Sequence, residues 1–503
     1  MNAGPPTLPL LGNLHQMPLK NAHLKFTEWA RTYGGMYSLK LGPGTMVVLT
    51  DRRLIKQLID KKSSIYSNRP PSYVGNHLIG GGDHLLIMEY GNCWRAFRKV
   101  IHQYFMESMV MNEHTTLVNA EGVQMCRDFL REPTKHMEHP KRFSNSIIMS
   151  LLFGVRTPTI DTPHMTKLYH MMENWSKIME TGNTPPVDIY PFLHYFPERF
   201  LGMWRSRAKD VGKEMNQLYS QYLDIVIRRR KSELESANKN KGSFVDKVLD
   251  QNEKLGFSRH QLSFLGGVVM EGGSDTSSAI ILSCLHAMTK WPGILKKVQR
   301  EIDVVIGEDR TPIWEDYESL PYVAAAVKEA MRWRAAAPLG FPHCLAQDDW
   351  VDGKFLPKGT TVLINAWGLH HDENRFPNPD VFDPDHYLGV TKLAPELAAA
   401  SDYDARDHYG YGSGRRLCPG IHLAERKLFL GISKLLWAFN VSPGKDETGK
   451  VIEPDVDPVT AYSEGFIVCA HPFECEIEVR SEKRKETIMR EFEVADKEVF
   501  SKY

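Results

Sequence analysis

The stretch YGYGSGRRLCPGIHLAERKLFLGISKLLWAF, Tyr409 to Phe439, decides how this chain is read. It sets one cysteine, Cys418, between a glycine-rich loop and a long apolar-periodic helix that starts near Ile421. Gly412 and Gly414 supply backbone that accepts positive φ ahead of the cysteine, and Gly420 lets another surface approach closely just after it. The helix start aims its amide N–H groups back at the sulfur, and Arg415 and Arg416 add full positive charges. Both favour the thiolate, the form of cysteine that ligates metals. The loop reads as a holder for an anionic sulfur at a fixed place. The competing reading is an inert buried thiol at a helix start.

Composition narrows the classes. The chain has 503 residues, enough for several domains or one large one. Its 62 Lys plus Arg balance 62 Asp plus Glu, and no long basic stripe suggests nucleic acid. The run Arg228 to Lys231 reads as a solvated helix end. Seven scattered cysteines, with no C-x-x-C pair and no Cys/His spacing for zinc or iron–sulfur, fit a reducing compartment. No stretch of about 18 uncharged apolar residues is present, and no signal peptide is visible. Prolines in GPPTLPLLGNLHQMP, Gly4 to Pro18, favour a stiff extended start.

Periodicity predicts a mostly helical protein. Met36 to Asp51 reads as a β-hairpin turning at Gly42-Pro43-Gly44, and Arg52 to Lys62 as a short helix. Ser72 to Gly91 reads as a long glycine-rich loop. Helices are expected over about Tyr90 to Phe129, Met165 to Glu180 and Met203 to Ala237, with prolines between Thr184 and Phe200 breaking the pattern. Ser258 and Gln261 form a candidate capping box. They open a helix to Lys290 of about 45 Å, long enough to cross a domain. Pro292 fits the first turn of the next helix. Short strands are expected near Lys354 to Leu363 and Phe466 to Val479.

Tyr411, Gly414, Arg416, Cys418 and Gly420 resemble the F-x-x-G-x-R-x-C-x-G haem-binding signature of the cytochrome P450 family, with tyrosine in the phenylalanine place. Other elements follow in the order that family has. Trp94 and Arg98 resemble its W-x-x-x-R element, whose groups hold haem propionates. Gly272-Gly273-Ser274-Asp275-Thr276 resembles its [AG]-G-x-[DE]-T oxygen-activation motif. Glu329 and Arg332 resemble its E-x-x-R pair, and His343 stands where a histidine or arginine contacts a propionate. In the F-x-P-x-R segment, here FDPDHY, His386 replaces the arginine that completes the core triad with Glu329 and Arg332.

The resemblance implies a mainly α protein with the cytochrome P450 fold: a large helical domain, a small β-rich N-terminal region and a long central helix. It implies a proline-rich segment (1–18) after a removed membrane anchor, one catalytic domain (19–480) and a charged tail (481–503), a surface helix or disordered. Implied cofactors are haem b (iron protoporphyrin IX) ligated by Cys418, O2 as co-substrate, and NADPH acting through a reductase. Implied haem-binding residues are Trp94, Arg98, His343, Tyr411, Arg416 and Cys418; implied catalytic residues are Asp275 and Thr276. Substrate contacts are placed at Met88, Val269, Gly272, Ala337, Leu339, Phe341 and Phe466, whose small or apolar side chains point to an apolar, aromatic or polycyclic substrate. The chain is most similar to microsomal members, and within those to fungal enzymes of secondary metabolism. This implies a monomer on the cytosolic face of the endoplasmic reticulum. Its NADPH–cytochrome P450 reductase is expected to dock near Arg95, Lys99, Arg415, Arg426 and Lys427. The expected reaction is hydroxylation. The alternatives are phenol coupling, ring closure or desaturation without oxygen insertion, or a haem-binding sensor that is not an enzyme.

Overall fold

Alternation in MYSLKL and GTMVVL produces the expected hairpin in the computed structural model, which describes residues 4–236, 242–465 and 467–503. Strand β1 (Met36–Leu41) pairs antiparallel with β2 (Gly44–Leu49). Val47, Val48 and Leu49 are fully buried. Two further strands, β3 (His343–Cys344) and β6 (Thr361–Ile364), extend the sheet in the order β1-β2-β6-β3, with β2 and β6 parallel. Among the described residues, two two-stranded sheets complete the strands: β4 (Asp349–Val351) with β5 (Lys354–Leu356), and β7 (Phe439–Pro443) with β8 (Cys475–Val479). The strand expected from Phe466 begins only at Cys475; Phe466 itself lies outside the described residues.

Most of the remaining regular structure is helical. The longer helices are α1 (Ala22–Tyr33), α2 (Asn92–Phe105), α3 (Thr115–Arg131), α4 (His139–Phe153), α5 (Pro163–Met179), α6 (Trp204–Ser236), α7 (Arg259–Lys290), α8 (Pro292–Val305), α9 (Pro321–Trp333), α10 (Ile421–Ala438) and α11 (Glu482–Glu498). The single helix expected over Tyr90 to Phe129 is broken after Phe105, where Met106 is extended at φ −67°, ψ 159°. Ser72 to Gly91 is irregular apart from a wide-turn helix over Tyr73–Ile79.

Helix α7 begins at the expected capping box. The Gln261 amide donates to Ser258 Oγ at 3.1 Å, and the Ser258 amide donates to Gln261 Oε1 at 3.0 Å. Side chains are buried all round it, as for a helix that crosses a core. Helices α4 and α6 pack against it at glycines. An added Cβ at Gly267 would lie 2.2 Å from the Tyr219 ring, and one at Gly273 would lie 2.5 Å from Ile148 Cγ1.

The charged tail folds as α11 and packs on α3. Ile488, Ala495 and Phe500 are buried, and the Arg156 guanidinium lies 3.4 Å above the Phe500 ring. Beneath it, Arg142 and Arg156 pair with the fully buried Glu121 at 2.7 and 2.8 Å.

Candidate active site

The Cys418 loop is shaped by its glycines. Gly412 and Gly414 adopt φ +72° and +64°, and a Cβ at Gly414 would fall 2.2 Å from the Ile59 carbonyl oxygen. The Gly414 amide donates to Asp60 Oδ1 at 2.8 Å, which docks the loop on the wide-turn helix Lys56–Lys61. Cys418 N donates to Tyr411 O at 2.9 Å, closing the turn that carries the sulfur to the start of α10.

Burial raises the Cys418 thiol pKa; the Gly420 amide, Arg98 and Lys427 act against it. Arg415 and Arg416, expected to favour the thiolate, are not the opposing charges. Arg416 turns away, donating to the carbonyls of Ser67, Leu85 and Met88 at 3.0, 3.2 and 2.8 Å, and Arg415 donates to the Tyr90 hydroxyl. Burial therefore favours the thiol until a metal displaces its proton.

Three guanidiniums converge beside this loop. Arg98 donates to the Leu417 carbonyl. Arg69 donates to Leu86, Phe341 and Pro342 carbonyls at 2.8, 2.9 and 2.6 Å. Arg416 stacks over the Trp94 ring at 4.5 Å. Burial, with mutual repulsion, pushes Arg416 down to about 8, and burial pushes Arg69 down to about 9. His343 Nδ1 lies 2.7 Å from Tyr66 O, and burial followed by the charge of Arg69 lowers its pKa to about 3. Among the described residues none of these arginines has a carboxylate partner. A ligand bearing carboxylates relieves such a cluster. The two propionates of haem have that chemistry. Among the described residues no group of three or more His, Cys, Asp or Glu could hold a bare ion. A lone thiolate therefore suits a metal whose other ligands come from a prosthetic group. The residues present fit haem on both counts. Sequence reasoning missed Arg69, which lies in the Asn68-Arg69-Pro70-Pro71 stretch and carries no local signal of its role.

On α7 the two adjacent glycines differ. Gly273 is close packing against Ile148, whereas a Cβ at Gly272 would meet no atom within 4 Å. Thr276 Oγ1 donates to Gly272 O at 2.7 Å, which fixes the hydroxyl and leaves its lone pairs to accept from water. Burial raises the Asp275 carboxyl pKa, against the pull of Lys141. Tyr169 OH donates to Ser274 O at 3.1 Å alongside.

The core triad assembles with histidine in the arginine place. Arg332 grips Glu329 with two parallel bonds of 2.7 and 2.6 Å and donates to the carbonyls of His370, Pro379 and Val381. His386 Nδ1 lies 3.3 Å from Glu329 Oε1, and Nε2 lies 3.0 Å from Pro377 O. Both ring nitrogens face acceptors, so the imidazolium is the form that satisfies both.

Of the substrate positions, Met88 and Phe341 are tied to the arginine cluster through their carbonyls. Val269 and Gly272 share a face of α7. Ala337 lies in the loop after α9. Leu339 packs instead with the Phe26, Trp29 and Tyr37 cluster. Two residues expected on the docking face, Arg426 and Lys427, are each only 1% exposed. Arg426 pairs with Glu107 and Lys427 reaches α7. They sit on the face of α10 that packs inward, so neither presents charge to a partner. Arg95, Lys99 and Arg415 are exposed.

The family model for Cytochrome P450 matches residues 3–469. Cytochrome P450 monooxygenase yanC of Aspergillus niger is 56% identical over 99% of this chain and 93% of its own length. Cytochrome P450 monooxygenase macC of Penicillium terrestre is 54% identical, with the same coverage. A zebrafish cytochrome P450 solved with abiraterone shares the fold, with a TM-score of 0.71 at 22% identity over 91% of this chain and 100% of that one. On this match, which runs almost from end to end, the chain belongs to the cytochrome P450 family and is a monooxygenase.

Proposed function

We propose that this monooxygenase hydroxylates an apolar, aromatic or polycyclic secondary metabolite. The carrying observation is the open Cβ side of Gly272, flanked on α7 by Val269 and followed within one turn by Asp275 and Thr276. A flat apolar body can lie against a glycine face where any side chain would intrude. The family implies haem iron and O2, and bound haem supplies the activation of O2. Cys418 holds the metal; Arg69, Arg98, Arg416 and His343, with Trp94 beneath Arg416, hold the carboxylates. Thr276 positions water and Asp275, its pKa raised by burial, passes protons inward. Electrons reach the site from NADPH through a reductase, for which exposed Arg95, Lys99 and Arg415 supply the docking charge. Arg95 and Arg415 flank the Tyr90 ring at 5.9 and 5.4 Å, which groups two of these charges.

Among the described residues no helix is long and apolar enough to cross a membrane. Attachment to the endoplasmic reticulum membrane is supported by an exposed apolar surface. Leu10 (92% exposed) and Leu19 belong to the N-terminal segment, and Phe192, Tyr195 (89% exposed) and Phe200 to the segment between α5 and α6. Tyr190 OH donates to Leu10 O at 3.2 Å and joins the two.

The experiment is product analysis under labelled oxygen, using metabolites first selected by Soret shift. Label in the product is expected from the wild type. Thr276→Ala should retain haem and ligand binding while losing reducing equivalents to peroxide. An oxidised product free of label would replace hydroxylation with coupling, ring closure or desaturation. Unchanged product per NADPH in Thr276→Ala would remove the role given to the hydroxyl.

A further inference from the structure

Lys427 is an unusual residue for its place. It lies on α10, nine residues after Cys418, and is 1% exposed. Its Nζ donates to the Gly273 carbonyl oxygen on α7 at 2.6 Å. Among the described residues it has no carboxylate partner. An amino group in an apolar core is unfavourable unless hydrogen-bonded, and methionine would fill the same volume without that cost. The bond it makes therefore identifies what the side chain does.

We infer that Lys427 is a positioning residue for the Gly272–Thr276 segment: carried on the cysteine helix, it clamps the Gly273 carbonyl and fixes the thiolate loop against the segment that handles protons. The inference rests on the reading of Asp275 and Thr276 above. Gly273 is held on two sides, by Ile148 against its Cα and by Lys427 at its oxygen. Its neighbour Gly272 is free on its Cβ side, and Gly272 O takes the Thr276 hydroxyl. Two consecutive glycines are where a helix resists deformation least. Clamping one keeps the other open and the Thr276 hydroxyl in place. Burial brings the Lys427 ammonium down to about 7, with the charge of Cys418 opposing that fall.

The test is hydrogen exchange of the α7 amides in haem-loaded protein, for wild type, Lys427→Met and Lys427→Arg. Methionine preserves volume and removes the donor; arginine keeps a donor and the charge. Amides following Gly273 should exchange roughly tenfold faster in Lys427→Met, the weight of a hydrogen bond to a charged group. Those near Leu285 should not change, and Lys427→Arg should restore most of the protection. A purely space-filling Lys427 predicts the reverse: Lys427→Met protected like wild type and Lys427→Arg disturbed. That result overturns the inference. Should Lys427→Met fail to fold, the wild type decides. Exchange at Ser274 to Ser277 as fast as at the frayed helix ends shows that no clamp operates; protection there matching the flanking turns supports it. In the same preparations Thr276→Ala is assayed for peroxide per NADPH. No increase there would remove the functional reading of the segment and leave the exchange result standing.

Discussion

Substituting alanine at each of the two adjacent glycines of α7 should give opposite results. At either site alanine gains about 1 kcal/mol of helix propensity. At Gly272 nothing lies within 4 Å of the new methyl group, so that gain stands. At Gly273 the methyl would sit 2.5 Å from Ile148 Cγ1, 2.8 Å from Cδ1 and 3.0 Å from Cβ. Two of these atoms lie at or next to the branch point of a side chain that is stiff at χ1 within α4, so the clash cannot be relieved by swinging a flexible end. Overpacking of this kind costs about 1–3 kcal/mol. Gly273→Ala should be destabilised by about 0–2 kcal/mol after the propensity gain, and Gly272→Ala stabilised by up to about 1 kcal/mol. Ile148→Ala alone should cost about 2–5 kcal/mol. In that background Gly273→Ala should become neutral or stabilising, a coupling of about 1–3 kcal/mol. Urea titrations followed by far-UV circular dichroism read the stabilities, and Soret titration with apolar ligands reads the open face. Gly272→Ala should weaken or shift ligand binding while remaining stable. A Gly273→Ala protein stabilised by the full propensity gain of about 1 kcal/mol, or one whose effect is the same with and without Ile148→Ala, would refute the packing argument.

Replacing Cys418 with serine should abolish the thiolate-type spectrum of the reduced carbon-monoxide complex; a retained spectrum would place the metal ligand elsewhere. At His386 burial opposes charging, but the hydrogen bond and charge of Glu329 outweigh it and raise the pKa. The His386 contribution is therefore complete below about 6.5 and is lost as pH rises through the folded value. His386→Arg should flatten this part of the stability–pH profile, and an unaltered profile would show that the imidazolium does not support the triad. Glu329→Ala should cost about 3–5 kcal/mol, since it leaves Arg332 charged and buried without its carboxylate; a change in denaturation midpoint equivalent to under 1 kcal/mol contradicts this. Charge reversal at Arg95 and Lys99 should raise the half-saturating reductase concentration most strongly at low salt. Equal affinity at low and moderate salt would exclude that face.

The legible parts of the sequence were those where local chemistry repeats in space. The Ser258–Gln261 cap, the glycine turn before Cys418 and the Glu329–Arg332 spacing each act over three to six residues, and each is seen in the structure. Helix α4 gave no signal because His139 to Phe153 is buried on every side, leaving no amphipathic stripe to read. Phe105-Met106 escaped notice because apolar spacing continues through the break. In the sequence Lys427 and Arg426 read as surface charges, because cations usually lie there; only their burial on α10 shows otherwise. Arg69 and Leu339 depend on chain segments hundreds of residues apart, which no local pattern encodes.

The docking of the last helix also sets an order of events in biosynthesis. Glu491 on α11 accepts from the Thr311 amide at 3.0 Å and its hydroxyl at 2.6 Å, and Lys434 of the cysteine helix donates to that same hydroxyl. Phe500, just beyond α11, covers Arg156. While the ribosome still shields those residues, the Glu121 network lacks its cover and the cysteine helix lacks this brace. Domains otherwise fold as synthesis proceeds; here the final packing around the cysteine helix must await emergence of α11 and Phe500 from the ribosome. Truncation before Glu491 would therefore reach the centre of the enzyme.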